Sequence, residues 1–350
     1  MEDPSVPIRH RRRAGVATAA LLTASLALSA CSGDGDGPAP EAAPSSAPTQ
    51  QVSKGAEVTP ETWPLTGLPV KGGRSAASRF PVMVLKMDNT SSSAPQRGLG
   101  SADLVVEELV EGGLTRLAAF FYSDIPGTVG PVRSMRASDI GIVKPVDAAV
   151  VTSGAAPITI RRIQQAGIRF FGEGAKGFFR DSSRSAPYNL MTDLAETATL
   201  VKRAATRPDD YLPWGDAADL PKGRPGRSLQ ARFSYGHTTT WAFENGRYRN
   251  VNTFAAADDQ FLADSVLVLR VRVGDAGYKD PAGNPVPETF LEGRGQALLL
   301  HGGRAISGTW SKSDVGAPLE LRNRFGTLRV PAGRTWIELV PEATGSVTVG

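Results

Sequence analysis

Apolar and polar positions follow two regimes along the chain. Between Phe80 and Ala205, strand-like runs alternate with stretches of helical spacing. Beyond Arg227, almost every apolar run is strand-like. The first strand-like run, Pro81–Met87, stops at Asp88–Asn89, and a second, Ala102–Glu111, turns at Gly112–Gly113 and returns through Leu114–Tyr122. Successive strand side chains alternate faces. Asp103, Val105, Glu107, Leu109 and Glu111 therefore share one face of this hairpin, and Leu104, Val106, Glu108 and Val110 the other. One face is apolar and the other carries carboxylates, with Arg116, Arg133 and Arg136 close behind in sequence. Buried charges need partners, so this pattern predicts an acid–arginine network.

Further along, the pattern predicts a helix over Ser134–Val143, ended by Lys144-Pro145, and a strand over Ala148–Ser153. A helix over Pro157–Ala166 has Ile158, Ile160 and Ile163 at helical spacing and Gly167 to close it. Ile168–Phe171 reads as a short strand, and Leu194–Ala205 as a helix capped by Thr192-Asp193. Thr206–Arg227, rich in proline and turns, reads as a connection. After it come strands at Arg232–Tyr235, Thr239–Glu244 and Tyr248–Asn250, with Asn245-Gly246 as a hairpin turn. Ser265–Val273, Gln296–Leu300, Ala305–Trp310, Thr327–Val330 and Trp336–Val340 follow.

The N-terminus carries different information. Arg9-His10-Arg11-Arg12-Arg13 is a basic segment, followed by the apolar Ala14–Leu28, which falls short of the roughly 20 residues a membrane span needs. Leu28-Ser29-Ala30-Cys31 then places small residues before the one cysteine of the chain, in the manner of a bacterial lipobox. Residues 1–30 read as a lipoprotein signal peptide and Cys31 as the lipidation site. The arginine run leaves the export route open between the general secretory and twin-arginine pathways. Residues 31–60, with no aromatic residue and many Pro, Ala, Ser and Gly, read as a disordered tether, reaching about 30 Å from the anchor. Net charge is +4, and half of it leaves with the leader. The near-balanced remainder argues against a nucleic-acid partner. A single Cys excludes an internal disulfide and a cysteine-cluster metal site.

Several segments together are similar to one family. The run from Asp88–Asn89 through Pro95–Leu99 (PQ-x-GL), Ala102–Glu107 (AD-x-V-x-E), Val110–Arg116 (VEGG-x-TR) and Gly130–Arg136 (GPVRS-x-R) resembles the YerB-like lipoproteins, the family called DUF3048. Thr240–Phe243, Gly295–Lys312 and Pro331–Pro341 resemble its C-terminal part. The resemblance implies an α+β fold, with layered sheets, helices on one side and a strand-rich C-terminal half. It also implies cleavage before Cys31 and diacylglycerol on its sulfur. The expected organisation is an N-terminal α/β part over 61–205, a connection over 206–230 and a β-rich part over 231–342.

Candidate chemistry is sparse. Glu107 and Glu111 lie four residues apart on a strand, about 13 Å, whereas glycosidase carboxyl pairs need about 5–9.5 Å. Either acid would need a partner from another strand. Arg180 and Arg184 could hold a phosphate or carboxylate, and Asn189 could donate to a ligand carbonyl. Gly172–Gly177 fits G-x-G-x-x-G but lacks the helix that a dinucleotide fold requires next. No G-x-S-x-G, H-E-x-x-H, C-x-x-C or P-loop pattern occurs. His237 and His301 read as turn residues, and Trp241, Trp310 and Trp336 as core. No metal site or cofactor is expected.

Two functions remain. The first is a binding module on the outer face of the bacterial cytoplasmic membrane, anchored by lipid on Cys31. It would take cell-wall glycan, other envelope material or a membrane-bound envelope enzyme. Its expected binding residues are Asp103, Glu107, Glu111, Arg116, Arg133, Arg136, Arg180, Arg184 and Asn189. The second is a glycan-acting hydrolase or transferase with Glu107 or Glu111 as acid or base. The distance from each acid to the nearest arginine separates them, since a carboxylate saturated by guanidinium is a poor general acid.

Overall fold

The computed structural model describes residues 61–350. The leader, Cys31 and the tether lie outside the described residues. The predicted strand at Pro81–Met87 is found as β1, Met83–Asp88. The acidic hairpin is β2, Leu104–Leu109, and β3, Thr115–Phe121. All three strands are buried on both faces. Met83, Leu85, Val105, Leu117, Ala119 and Phe121 enter one hydrophobic core, and Val84, Leu104, Val106, Ala118 and Phe120 enter another on the opposite side. The period-two alternation thus holds, but each face is apolar, because a sheet covered on both sides needs apolar residues at every position.

The remaining named elements are α1 (Asp139–Val143), β4 (Ala149–Val151), α2 (Pro157–Gln165), α3 (Leu194–Ala198), β5 (Ser265–Lys279) and β6 (Thr335–Pro341). The main sheet runs in the order Gly326–Thr327, Glu320–Asn323, Arg304–Lys312, Gly293–His301, β5, β6, β2, β3, β1, β4, Phe170–Phe171. The strands β5, β6, β2, β1 and β4 share one direction, since each neighbouring pair is parallel apart from the antiparallel β3 between β2 and β1. Their carboxyl ends therefore meet at one edge. β6 sits between β5 and β2, so strands from the two ends of the sequence lie side by side in the middle of the sheet.

A second, antiparallel sheet joins Leu262–Ala263, Arg247–Asn250, Thr238–Glu244, Ser228–Arg232 and Ser346–Val349. Its Leu229, Ala231, Trp241 and Tyr248 close the core over β2 and β3. Asn245 and Gly246 both have positive φ, as a two-residue hairpin turn of this hand requires.

The helices are shorter than predicted. The stretch Ser134–Ala137 is extended because Gly130–Arg136 runs across the strand ends. Arg133 N–H donates to Lys86 O (2.7 Å) and Met135 N–H to Gly154 O (3.0 Å), which leaves only Asp139–Val143 helical. α3 starts where Asp193 accepts from Glu196 N–H, but stops at Ala198 as the chain turns to pair Thr206 with Ser78. α2 begins with Pro157, as predicted. α1 and α2 send Ile142, Val143 and Ile163 into one core, whereas α3 sends Leu194 and Ala198 into the other. The first strand of the second sheet is Ser228–Arg232, not Arg232–Tyr235, since Phe233 and Ser234 already turn back to His237. β5 continues past Val273 to Lys279 and forms an arm with Pro285–Phe290. Tyr278 and Glu288 of the arm bind Thr159 and Arg162 of α2.

Candidate functional site

The carboxyl edge of β1, β2 and β4 gathers most of the predicted polar residues. Glu107 and Glu108 are consecutive on β2, so they point to opposite faces, and both are fully buried. Glu108 faces Lys86 at 2.7 Å, and Lys86 lies 2.7 Å from Asp139 at the start of α1; all three side chains are sealed from solvent.

On the other face Glu107 meets no arginine. Its Oε1 accepts from Asn89 Nδ2 (3.0 Å) and lies 2.8 Å from His237 Nε2, and both carboxylate oxygens accept from Thr239 Oγ1 (2.9 Å). Thr115 Oγ1 lies 3.0 Å from the same His237 nitrogen. Glu338 of β6 stands beside Glu107 in the sheet register, and its Oε1 accepts from Trp241 Nε1 (2.6 Å). Burial penalises the charge on Glu107, but His237, Thr115 and Thr239 outweigh it and hold its pKa below the ordinary value. Burial and then the charge of Glu107 push Glu338 well above the ordinary range, so it carries a proton. Burial disfavours charge on His237, yet the hydrogen bond and charge of Glu107 raise its pKa.

Glu111, just past β2, is held by arginines. Arg136 contacts both of its oxygens, with Nε 2.9 Å from Oε2, and Arg116 Nη2 lies 3.7 Å away. Burial would raise the Glu111 pKa, but Arg136 and Arg116 bring it below the usual value. Arg116 is pulled down to about 10 by burial and then by the charge of Arg136. It donates from Nη1 to Ser134 O (2.8 Å), while its Nε is buried without a partner. Arg133 donates from Nε to Asp88 Oδ2 (3.0 Å), and its guanidinium sits 5.0 Å from the Tyr188 ring centroid. Three guanidinium groups thus share two carboxylates, Asp88 and Glu111, at one rim.

Arg184 belongs to the neighbouring wall. It bonds Asp181 Oδ2 (3.1 Å) and Ser93 O (3.1 Å), which ties the Asp181–Asn189 loop to the turn after β1. A cleft of about 620 Å³ opens beside it, lined by Pro95, Arg97, Asp181, Arg184, Met191 and Asp259. Arg180 lies further out, gripped by Glu173 (2.6 and 2.7 Å), and donates to Asn189 Oδ1 (2.6 Å). Asp103 is not part of this edge. It begins β2 at the opposite end, accepts from Tyr122 N–H (2.7 Å) and Ser123 N–H (2.9 Å), and has a pKa raised by burial. Cys31 lies outside the described residues. Among those described, no group of three or more His, Cys, Asp or Glu side chains is placed to hold a metal ion.

Sequence reasoning missed Lys86, Thr115, Asp139, Thr239 and Glu338, and took His237 for a turn residue. Two signals were present. Lys86 in MVLKM and Glu338 in TWIELV are lone charges inside apolar strands, and such charges need partners from elsewhere in the chain.

These features coincide with a family match that covers most of the folded chain. Residues 65–208 match the "Protein of unknown function (DUF3048) N-terminal domain" and residues 229–337 the corresponding C-terminal domain. The chain belongs to the DUF3048 family. Among its relatives is "Putative lipoprotein YerB" of Bacillus subtilis (strain 168), 26% identical over 292 residues, spanning 80% of this chain and 86% of that protein. The crystal structure of YerB from Bacillus subtilis superposes with a TM-score of 0.68 at 22% identity, over 82% of this chain and 99% of that one. The two share a strand-rich α+β fold.

Proposed function

We propose that this chain is an exported protein, held at the outer face of the bacterial cytoplasmic membrane by lipid on Cys31, whose folded part binds and does not catalyse. Its ligand is an anionic group on cell-envelope material or on a membrane-bound envelope enzyme. The leader, the cysteine position and the lipoprotein name of the Bacillus relative support the anchor. The observation that carries the binding reading is the availability of the side chains. Glu107 is sealed and Glu111 is saturated by Arg136 and Arg116, whereas Arg133 is partly exposed and donates to the protein from Nε alone among the described residues. Its remaining fork suits a carboxylate or phosphate, at the end of the sheet where ligands of parallel strands gather.

Calorimetry with wall fragments and isolated envelope proteins tests this. Arg133→Gln is expected to cost at least about tenfold in affinity, as loss of a charged hydrogen bond implies, with little change in melting temperature. Unchanged affinity of this variant for a ligand that wild type binds would sink the assignment. Cys31→Ser is expected to move the protein out of the membrane fraction.

One observation favours the alternative, a glycan-acting hydrolase or transferase. Protonated Glu338 beside ionised Glu107 is an acid–base pair by chemistry, although both are closed off from solvent. Release of soluble glycan by wild type, abolished in Glu107→Gln, would favour it.

A further inference from the structure

The far edge of the main sheet from the candidate site carries a second charged surface. The hairpin of Glu320–Asn323 and Gly326–Thr327 ends that edge, and Arg224–Pro225 pairs with Arg304–Lys312 beside it. Two adjoining grooves, of about 380 and 500 Å³, share Arg322. Their lining includes Lys222, Arg224, Arg322, Arg324 and Arg329, all exposed, against two acids, Asp210 and Glu320. Asp210 is already paired with Arg207 at 2.5 Å, and Glu320 lies 3.9 Å from Arg322. At the hairpin tip Phe325 is 68% exposed, with the Arg324 guanidinium 4.6 Å from its ring centroid.

The entry of the chain lies on the same flank. Pro64 O accepts from Trp214 Nε1 and from Tyr211 N–H, both at 3.0 Å. Trp214 pairs with Val330 and accepts from Arg329 Nη1 (3.2 Å). Thus the segment that follows residue 60 begins two short contacts away from the basic rim. The anchor of the proposed lipoprotein is attached through that segment.

We propose that this rim is the membrane-facing surface of the folded part. Lys222, Arg224, Arg322 and Arg324 rest on anionic lipid headgroups of the leaflet that holds the anchor, and Phe325 inserts between them. Cations near such a surface each strengthen binding about fivefold, and an aromatic side chain suits the interface. The inference rests on the lipid-anchored reading. It would explain how a protein on a long tether keeps one orientation.

The test uses the full chain with Cys31→Ser, so that no lipid is attached, in flotation with phosphatidylglycerol-containing vesicles and with phosphatidylcholine alone. The anionic vesicles should bind more protein. Lys222→Gln with Arg324→Gln should then lower that binding at least about twentyfold, and Phe325→Ser should lower it further. Arg161→Gln with Arg169→Gln, exposed cations near the other edge, should leave it unchanged. Equal loss in both pairs, or none in the rim pair, overturns the proposal. A rim pair that keeps vesicle binding but loses retention on an anionic wall polymer also overturns it, in favour of the polymer. Since the protein tested is lipid-free, failure here leaves the Cys31 assignment to its own fractionation experiment.

Discussion

At the scale of single residues, the carboxyl pair Glu107–Glu338 and its histidine make stability depend on pH in a defined direction. His237 has a raised pKa, so its contribution is complete below the ordinary value of 6.5 and fades as the pH rises through the folded value. Glu107 has a lowered pKa, so its contribution is complete above 4.5 and fades as the pH falls through the folded value. Between those limits the pair supports the fold fully. Replacing His237 with Ala leaves Glu107 buried without its cation, at a cost of about 3 kcal/mol. Urea melts should show a larger loss at about pH 5.5 than at about pH 9, where the imidazolium is already gone. Glu338 acts oppositely to Glu107. The folded chain keeps a proton there that the unfolded chain releases above 4.5, so its cost grows with pH. Glu338→Gln retains an acceptor for Trp241 and is expected to raise the melting temperature by about 2–4 °C at about pH 8. The gain should vanish near pH 4. A gain independent of pH would mean that Glu338 is not the protonated partner.

At the scale of elements, Arg184 shows how a residue chosen for ligand chemistry can turn out to join two loops. Its contacts to Asp181 and to the backbone of Ser93 use the guanidinium that a ligand would need. Arg184→Ala is therefore expected to cost about 1.5–3 kcal/mol, the worth of hydrogen bonds to a charged group. Amide exchange should quicken at residues 91–96 and 181–189 together; quickening of one loop alone would contradict the tie. The strands were legible because apolar runs of this length bounded by Gly, Asn and Asp have few other uses. Helix ends were not, because what stopped them was tertiary: backbone bonds from Arg133 and Met135 to β1 and Gly154. The rim of Arg116, Arg133, Arg136 and Glu111 was legible from local spacing. The shell of Glu107 was not, since Thr239 and Glu338 come from 132 residues away in the first case and from the neighbouring strand β6 in the second.

At the scale of the whole molecule, the two family segments do not stand as separate cores. β6 pairs with β2 from Leu104↔Thr335 to Glu107↔Glu338, and with β5 along seven residues. Trp241 and Trp336 pack edge to face at 5.2 Å in the core that also holds Leu117 and Phe121. Cutting after residue 227 would strip β2 of a neighbour and expose its ladder edge. It would also leave Glu107 buried without Thr239 and His237, and open one apolar face of β1, β2 and β3 to water. Residues 61–227 alone are expected to show no cooperative thermal transition and to bind a hydrophobic dye. Adding residues 228–350 as a separate chain should restore a transition whose midpoint rises with protein concentration, as association-coupled folding requires. A sharp, concentration-independent melt of the first fragment by itself would mean that the shared sheet is a docking contact between two autonomous domains, and the buried Glu107 cluster would then have to tolerate solvent.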